Sequence, residues 1–465
     1  MSTPTRCCSP GSASTPGRPT PAEDSRPRPP RSPSMIESSR SRTPRVVVTG
    51  IGLRTGLGPD AVSTWEGLRA GRSAARSLSS ILPGHGGRWH GYPAHPANRR
   101  QTTPGENEVS EAVRDARLFE GERPNFDPDR AATVIGLSKG DIGRLARAHR
   151  HLHHGGPAAL DAVDPDWTRC WPDAGARSAF ESLGLRGPSI APVAACATGL
   201  MAVLRAAELI RIGTCDLALA GATESSIEPL VLGAFARMRV LARVGEDPIA
   251  AVRPWDRARS GFLVGEGGAV LVLEREEHAR HRGVLPYAEV LGGALGSGAG
   301  HETRLDPDPG RFAMLIAEAM TRCGVVPDEV DHVNVHGTAT RDNDPLECRA
   351  IRRALGSHAD GVSCSANKAQ IGHLLGGSGA VELAITCLAI RDQFVPPTLN
   401  LTDPDPACDL DGTPGVGRYR PIGTALKFSI GFGGHLGVAV LRRPDGPRRP
   451  SVPMPPRPPR RSESP

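Results

Sequence analysis

The chain has 465 residues, enough for one large or two ordinary domains, and a formal net charge of +6. Much of that excess sits at the C-terminal end, where Arg442, Arg443, Arg448, Arg449, Arg457, Arg460 and Arg461 face only Asp445 and Glu463; with no basic-aromatic interleaving, it is no signal for nucleic acid. No stretch is apolar for long enough to span a membrane or to form a signal-peptide core, and the 10 Cys follow no regular framework, which points to reduced thiols in a cytoplasmic protein.

Residues 1–44 are mostly Ser, Thr, Pro and Arg, and residues 443–465 are Pro- and Arg-rich. Neither segment can bury enough apolar surface to offset its ordering entropy, so both are expected to be disordered arms. Met35 offers an alternative first residue, and a Ser/Arg-rich start also fits a transit peptide.

Residues 45–52 read as a β-branched strand ending in glycines, but Gly50, Gly52, Gly56 and Gly58 lack the spacing of a dinucleotide-binding turn. The pattern then predicts a short amphipathic helix over 62–70, irregular surface over 76–107, a helix over 109–118 and a strand over 131–137. His149, His151, His153 and His154 crowd beside Arg147 and Arg150. No Cys or carboxylate stands there at ligand spacing, so they read as a solvated loop or helix end and not as a metal site.

A helix over 176–183 leads to a buried strand over 190–195, then Cys196, then an apolar helix over 200–210. Next come a strand over 216–222, a helix over 229–239, a Gly-rich loop over 253–268, a strand over 269–274 and a charged helix over 276–282. The remainder repeats this in kind. Strands fall at 287–291, 330–336 and 361–364, helices at 312–323 and 345–355. A loop over 365–372 precedes a long apolar helix over 373–390. A strand pair, 425–430 and 436–441, is joined by Gly431-Phe432-Gly433-Gly434. Alternating strands and helices in two similar halves, 45–284 and 285–442, imply an α/β layered fold with buried sheets.

Cys196 stands where a strand gives way to a helix. The helix N-terminus lends the sulfur a partial positive field, which lowers a thiol pKa, and the free N–H groups of the turn can face an oxyanion. Ala195, Ala197 and Gly199 let a substrate come close. Taken alone, a Cys between alanines is also a small buried hydrophobe, so partners decide the matter. The second half offers His336 at the end of a buried strand and His373 at the start of an apolar helix. Lys368 lies in a small-residue segment, and Glu382 lies inside the apolar helix, where a carboxylate is costly unless paired. A Lys368–Glu382 pair reduces both costs.

Five motifs occur in order: Ala194-Ala195-Cys196-Ala197-Thr198-Gly199; Arg253-Pro254-Trp255-Asp256 with Gly261-Phe262 and Gly265-Glu266-Gly267; His336-Gly337-Thr338-Ala339-Thr340 with Asp344; Lys368 with Gly372-His373-Leu374-Leu375-Gly376; and Gly431-Phe432-Gly433-Gly434-His435. On these the chain resembles the β-ketoacyl-acyl carrier protein synthases of the elongating, type II kind. The resemblance implies a thiolase-like fold, two βαβαβαββ halves in five α-β-α-β-α layers, and a homodimer. It implies an acyltransferase of fatty acid biosynthesis, with acyl and malonyl acyl carrier proteins as partners. No metal or organic cofactor is implied, since the phosphopantetheine belongs to the carrier.

In that reading Cys196 is the nucleophile, and the Cys196 and Phe432 amides form the oxyanion hole. His336 and His373 stabilise the enolate formed as carbon dioxide leaves malonyl carrier protein. Lys368 with Glu382 supports the His373 site, and Asp344 is a further supporting residue. Thr338 and Thr340 hold the pantetheine arm, Phe432 is the gate between the acyl pocket and the malonyl site, and Gly433 joins them in binding substrate. The chain departs from the pattern at Lys427-Phe428-Ser429-Ile430, where Ser-Asn-Ser-Phe is usual, and at Leu436, where an Asn is usual. Residues 76–175 match poorly. Two further readings stand beside the first: a ketosynthase of a specialised polyketide or lipid pathway, and a non-catalytic partner subunit. The latter is disfavoured because Cys196, His336 and His373 are all present.

Overall fold

The computed structural model describes residues 43–85, 87–95, 105–155, 167–298 and 300–446. The expected disorder of residues 1–44 and 443–465, the alternative start at Met35 and the transit peptide fall wholly or almost wholly outside the described residues.

Ten strands form the main sheet: β1 (Val46–Arg54), β2 (Ala131–Gly136), β3 (Ser189–Ile190), β4 (Leu217–Glu224), β5 (Gly267–Arg275), β6 (Ala288–Ser297), β7 (Val330–Asn334), β8 (Ser363–Ser365), β9 (Thr424–Gly431) and β10 (His435–Arg442). Their order is β8-β7-β9-β10-β6-β1-β5-β4-β2-β3. The two halves of this list share one topology. β2 runs parallel to β3 and β4, and β7 runs parallel to β8 and β9. β5 lies antiparallel between β4 and β1, as β10 does between β9 and β6. The halves join where Val47 and Val48 of β1 pair with Glu289 and Ala288 of β6.

Six helices matter for the site: α1 (Glu106–Asp115), α2 (Ile142–Gly155), α3 (Thr198–Arg211), α4 (Gly310–Arg322), α5 (Asn343–Leu355) and α6 (Ser378–Asp392). Successive strand residues point to opposite faces, which sorts the apolar side chains into layers. Ala132 and Val134 of β2 join the central core, while Ala131 and Ile135 join an outer one with Val109 and Ala112 of α1. Ala425 of β9 faces the centre, while Leu426, Phe428 and Ile430 pack outward with Phe312 of α4 and Ile351 of α5. α3 and α6 fill the middle. α6 is apolar all round and buried at every residue except Arg391, the pattern of a helix enclosed on all sides. The result is the α-β-α-β-α order expected.

The two central helices touch at their N-termini through glycines. A Cβ on Gly199 would fall 2.5 Å from Ala380 N, and one on Gly379 would fall 2.5 Å from Leu200 N. The approaches to both helices match as well: Ala195 and Leu375 each have φ of +46°, and each opens a 3₁₀ turn that runs into its helix.

Several local expectations are corrected. The strand over 190–195 ends at Ile190, because Pro192 cannot donate to a ladder and the chain must turn into Ala195. Residues 365–372 are not all loop, since Lys368–Ile371 is a short helix. His373 lies outside the long helix, which starts at Ser378. Gly372 and Leu375 have positive φ, so the helix cannot begin earlier. His336 lies two residues beyond β7. The four clustered histidines lie exposed on the last turns of α2, with His149 and His153 stacked at 6.1 Å; among the described residues no group of three or more His, Cys, Asp or Glu is placed to hold a metal ion.

Candidate active site

Cys196 lies in the 3₁₀ turn before α3. Thr198 Oγ accepts from Ala194 N at 2.9 Å and donates to Ala195 O at 2.8 Å, which holds Ala195 in its unfavourable φ. Gly431, at the end of β9, comes so close that a Cβ there would fall 2.8 Å from Ala194 O and 3.2 Å from Cys196 N. That approach aims the Phe432 N–H at the Cys196 sulfur. Cys196 packs in one apolar cluster with Ile227, Val231, Phe262, Val264 and Leu375. Burial pushes its thiol up to about 11, against the opposing pull of the Lys139 and Lys368 ammoniums and the Phe432 amide. The expectation of a lowered thiol pKa is therefore not met: burial outweighs the two ammoniums and the amide.

His373 is held from two sides. Its N–H donates to Leu263 O and its carbonyl accepts from Gly265 N, both at 2.9 Å, which ties it to the Gly-rich loop. Its Nδ1 lies 2.9 Å from Ser378 Oγ and accepts the Leu375 N–H at 3.3 Å. An acceptor Nδ1 on a neutral ring leaves the proton on Nε2. Phe262 packs edge-on against the imidazole, with centroids 4.8 Å apart.

His336 faces His373, with ring centroids 5.2 Å apart and planes at 81°. Its Nδ1 lies 3.5 Å from the Lys368 ammonium, which can only donate, so here too the ring proton falls on Nε2. Burial and the Lys368 charge hold both imidazoles well below their ordinary pKa, so both are neutral. Glu347 of α5 shapes the turn. It accepts from His336 N at 2.6 Å, Gly337 N at 2.7 Å and Asn343 Nδ2 at 2.6 Å. Burial raises its carboxyl to about 7 despite those donors.

Behind the imidazoles lies a buried charged group. Lys368 Nζ is 2.5 Å from Glu382 Oε1 and also donates to His336 O. Lys427 of β9 approaches the other carboxylate oxygen, at 2.9 Å. All three side chains are buried. The Lys368–Glu382 pair matches the sequence expectation.

The remaining expected residues stand further out. Asp344 accepts the Trp255 N–H at 2.9 Å, so it anchors the Arg253-Pro254-Trp255-Asp256 turn, and burial raises its carboxyl to about 6. Thr338 and Thr340 are joined through their hydroxyls at 3.0 Å. Phe432 is half-buried and tilts over Phe235, while Gly433 N donates to Glu302 O at 2.7 Å.

Sequence reasoning did not find Glu347, Ser378, Lys139 or Glu224. Glu224 accepts from Lys139 Nζ at 3.0 Å and from Gly376 N at 3.0 Å. A buried carboxylate is the signal each acid offered, but only the fold shows which backbone amides it satisfies. Lys427 was legible as a departure from the pattern, without a partner.

The chain matches the β-ketoacyl synthase N-terminal domain over residues 106–279 and the β-ketoacyl synthase C-terminal domain over residues 287–402. It is 35% identical over 415 residues to the 3-oxoacyl-[acyl-carrier-protein] synthase 2 of Coxiella burnetii, covering 86% of this chain and 98% of that one. It is 37% identical over 420 residues to the tetracenomycin polyketide synthase ketoacyl synthase alpha subunit of Streptomyces glaucescens, covering 87% of this chain and 99% of that one. Among solved structures, it is similar to the ketosynthase of a type II polyketide synthase, bound to its acyl-carrier protein and a hexaketide. The TM-score is 0.80 at 32% identity, over 87% of this chain and all of the other. No helix among the described residues is long and apolar enough to cross a membrane. With both family domains matched over more than half of the chain and near-complete coverage of these relatives, the chain belongs to the β-ketoacyl synthase family.

Proposed function

We propose that the protein condenses an acyl thioester with malonyl carrier protein, releasing carbon dioxide and forming a 3-oxoacyl thioester. The observation that carries this reading is the pair of neutral imidazoles, both with the proton on Nε2, set beside the apolar cluster that holds the Cys196 thiol. Neutral donors in a dry site suit a charge that develops during reaction, because they cost no reorganisation.

The Cys196 sulfur attacks the acyl thioester carbonyl. A carbon–sulfur bond forms to Cys196, the bond to the pantetheine sulfur breaks, and the thiol proton leaves with the pantetheine thiol. The Cys196 and Phe432 amides hold the oxygen as it gains charge. Malonyl carrier protein then enters, with Thr338 and Thr340 along its pantetheine arm. Its bond to the carboxylate breaks, carbon dioxide leaves, and the electron pair becomes an enolate held by the Nε2–H groups of His336 and His373. The enolate carbon bonds to the acyl carbon as the Cys196–carbon bond breaks, and the sulfur takes up a proton.

The proposed partner is an acyl carrier protein, and the chemistry draws on these side chains and the carrier's phosphopantetheine alone. A homodimer and a cytoplasmic location complete the reading. The halves 45–284 and 285–442 supply the thiol and the imidazoles respectively. Relatives from both fatty acid and polyketide synthesis match at similar identity, so chain elongation of a primary fatty acid and of a specialised polyketide are the two substrate readings. Intact mass spectrometry after incubation with acyl carrier proteins of graded chain length tests both. Acylation of Cys196, lost in Cys196→Ala, is expected. Loading at another residue, or none with any chain, rejects the assignment.

A further inference from the structure

Lys427 is fully buried on β9, in register with Asn334 of β7, two residues before His336. It approaches Glu382 Oε2 at 2.9 Å while Lys368 holds Glu382 Oε1 at 2.5 Å, and its ammonium also donates to the neighbouring Phe428 carbonyl. Two ammoniums share one carboxylate, and the group of three carries a net positive charge in a dry interior. Such an arrangement is costly, and nothing in the packing requires it: Glu382 is already paired by Lys368.

We propose that Lys427 is a positioning residue of the condensation site. It places a second ammonium 2.9 Å from the Glu382 oxygen that Lys368 does not hold, and its charge favours the enolate and adds to the burial and the Lys368 charge that keep both imidazoles neutral. The inference rests on the condensing reading above. The charged and titratable groups around Lys427 are Glu382 from α6, Lys368 from its short helix, Glu347 from α5, and the His336 and His373 rings. Lys139, paired with Glu224, also acts on His373. Glu347 is held near 7, so at neutral pH it offsets only part of the excess. Burial pushes the Lys427 ammonium down, against Glu382 and in concert with Lys368. Protonated imidazoles would fail in this frame. A proton on His373 Nδ1 would confront the Leu375 N–H, and one on His336 Nδ1 would confront the Lys368 ammonium.

The test compares wild type with Lys427→Met and Lys427→Gln in two assays: carbon dioxide release from malonyl carrier protein across pH 5 to 8, and acylation of Cys196 by intact mass. In the variants, release is expected to fall about tenfold at neutral pH, the effect of removing one buried positive charge from the site. The acid limb of release is expected to move up by about one pH unit, with Cys196 acylation retained. An unmoved limb, or an equal fall in both assays, overturns the inference and leaves Lys427 a packing residue. Should both variants fail to fold, the wild-type limb decides. It is expected below the ordinary imidazole value of about 6.5, and a limb at or above that value overturns the inference. Wild type that neither loads nor releases carbon dioxide sinks the condensing reading itself, whereas active wild type with an unmoved variant profile sinks this inference alone.

Discussion

The backbone N–H of Leu375 donates to Nδ1 of His373 at 3.3 Å. The same Leu375 has φ of +46°, the value at Ala195 in the first half. One half uses this bent approach to present a sulfur at the end of a central helix. The other uses it to lock the tautomer of an imidazole.

From that lock follows a separation of half-reactions. His373→Ala and His336→Ala should each cut carbon dioxide release from malonyl carrier protein by roughly 10²- to 10³-fold, the usual cost of losing an oxyanion donor. Acyl transfer to Cys196 should survive, because no step of it uses the imidazoles as enolate donors. Release assays and intact mass spectra on the same preparations check this. Undiminished release in either variant would remove that ring from the enolate role.

Burial of Cys196 sets a pH dependence. Its thiol titrates at about 11, so the thiolate fraction rises about tenfold per pH unit below that value. Alkylation of Cys196 by iodoacetamide, followed by peptide mass, should be slow at pH 7 and accelerate steadily to pH 10. A rate already level by pH 8 would show a thiolate that the resting site stabilises, as the helix end alone suggested.

Glu347 holds the turn that carries His336. Glu347→Ala would leave the His336, Gly337 and Asn343 donors unpaired in the interior, each costing about 1–3 kcal/mol. The melting temperature should fall, and malonyl decarboxylation should fall with it. Glu347→Gln keeps the side chain's shape but only one acceptor oxygen, so its amide NH2 would face the His336 N–H or the Gly337 N–H, and it should recover only part of the melting temperature. Thermal unfolding and release assays on both variants check the assignment. A Glu347→Ala protein as stable as wild type would show that the turn holds itself.

What the amino-acid order determined by itself was local and periodic. Strand alternation and the largely apolar 373–390 stretch foretold buried sheets around central helices, since side-chain direction is fixed by backbone geometry over a few residues. Cys196, His336, His373, Lys368 and Glu382 were visible because each is a reactive or charged group in an apolar or glycine-rich setting.

Tertiary structure decided the rest, because it depends on what each group meets across the fold. Helix-end electrostatics promised a reactive thiolate, whereas burial in the cluster with Phe262, Val264 and Leu375 pushes the thiol up. The last helix starts at Ser378 and not at His373, since the positive φ of Gly372 and Leu375 bends the chain there, which no local pattern records. Glu347 and Lys427 look like an ordinary helix acid and an odd strand residue until the backbone amides of one and the carboxylate of the other are in place. Burial and pairing are long-range quantities, and a chain read residue by residue cannot sum them.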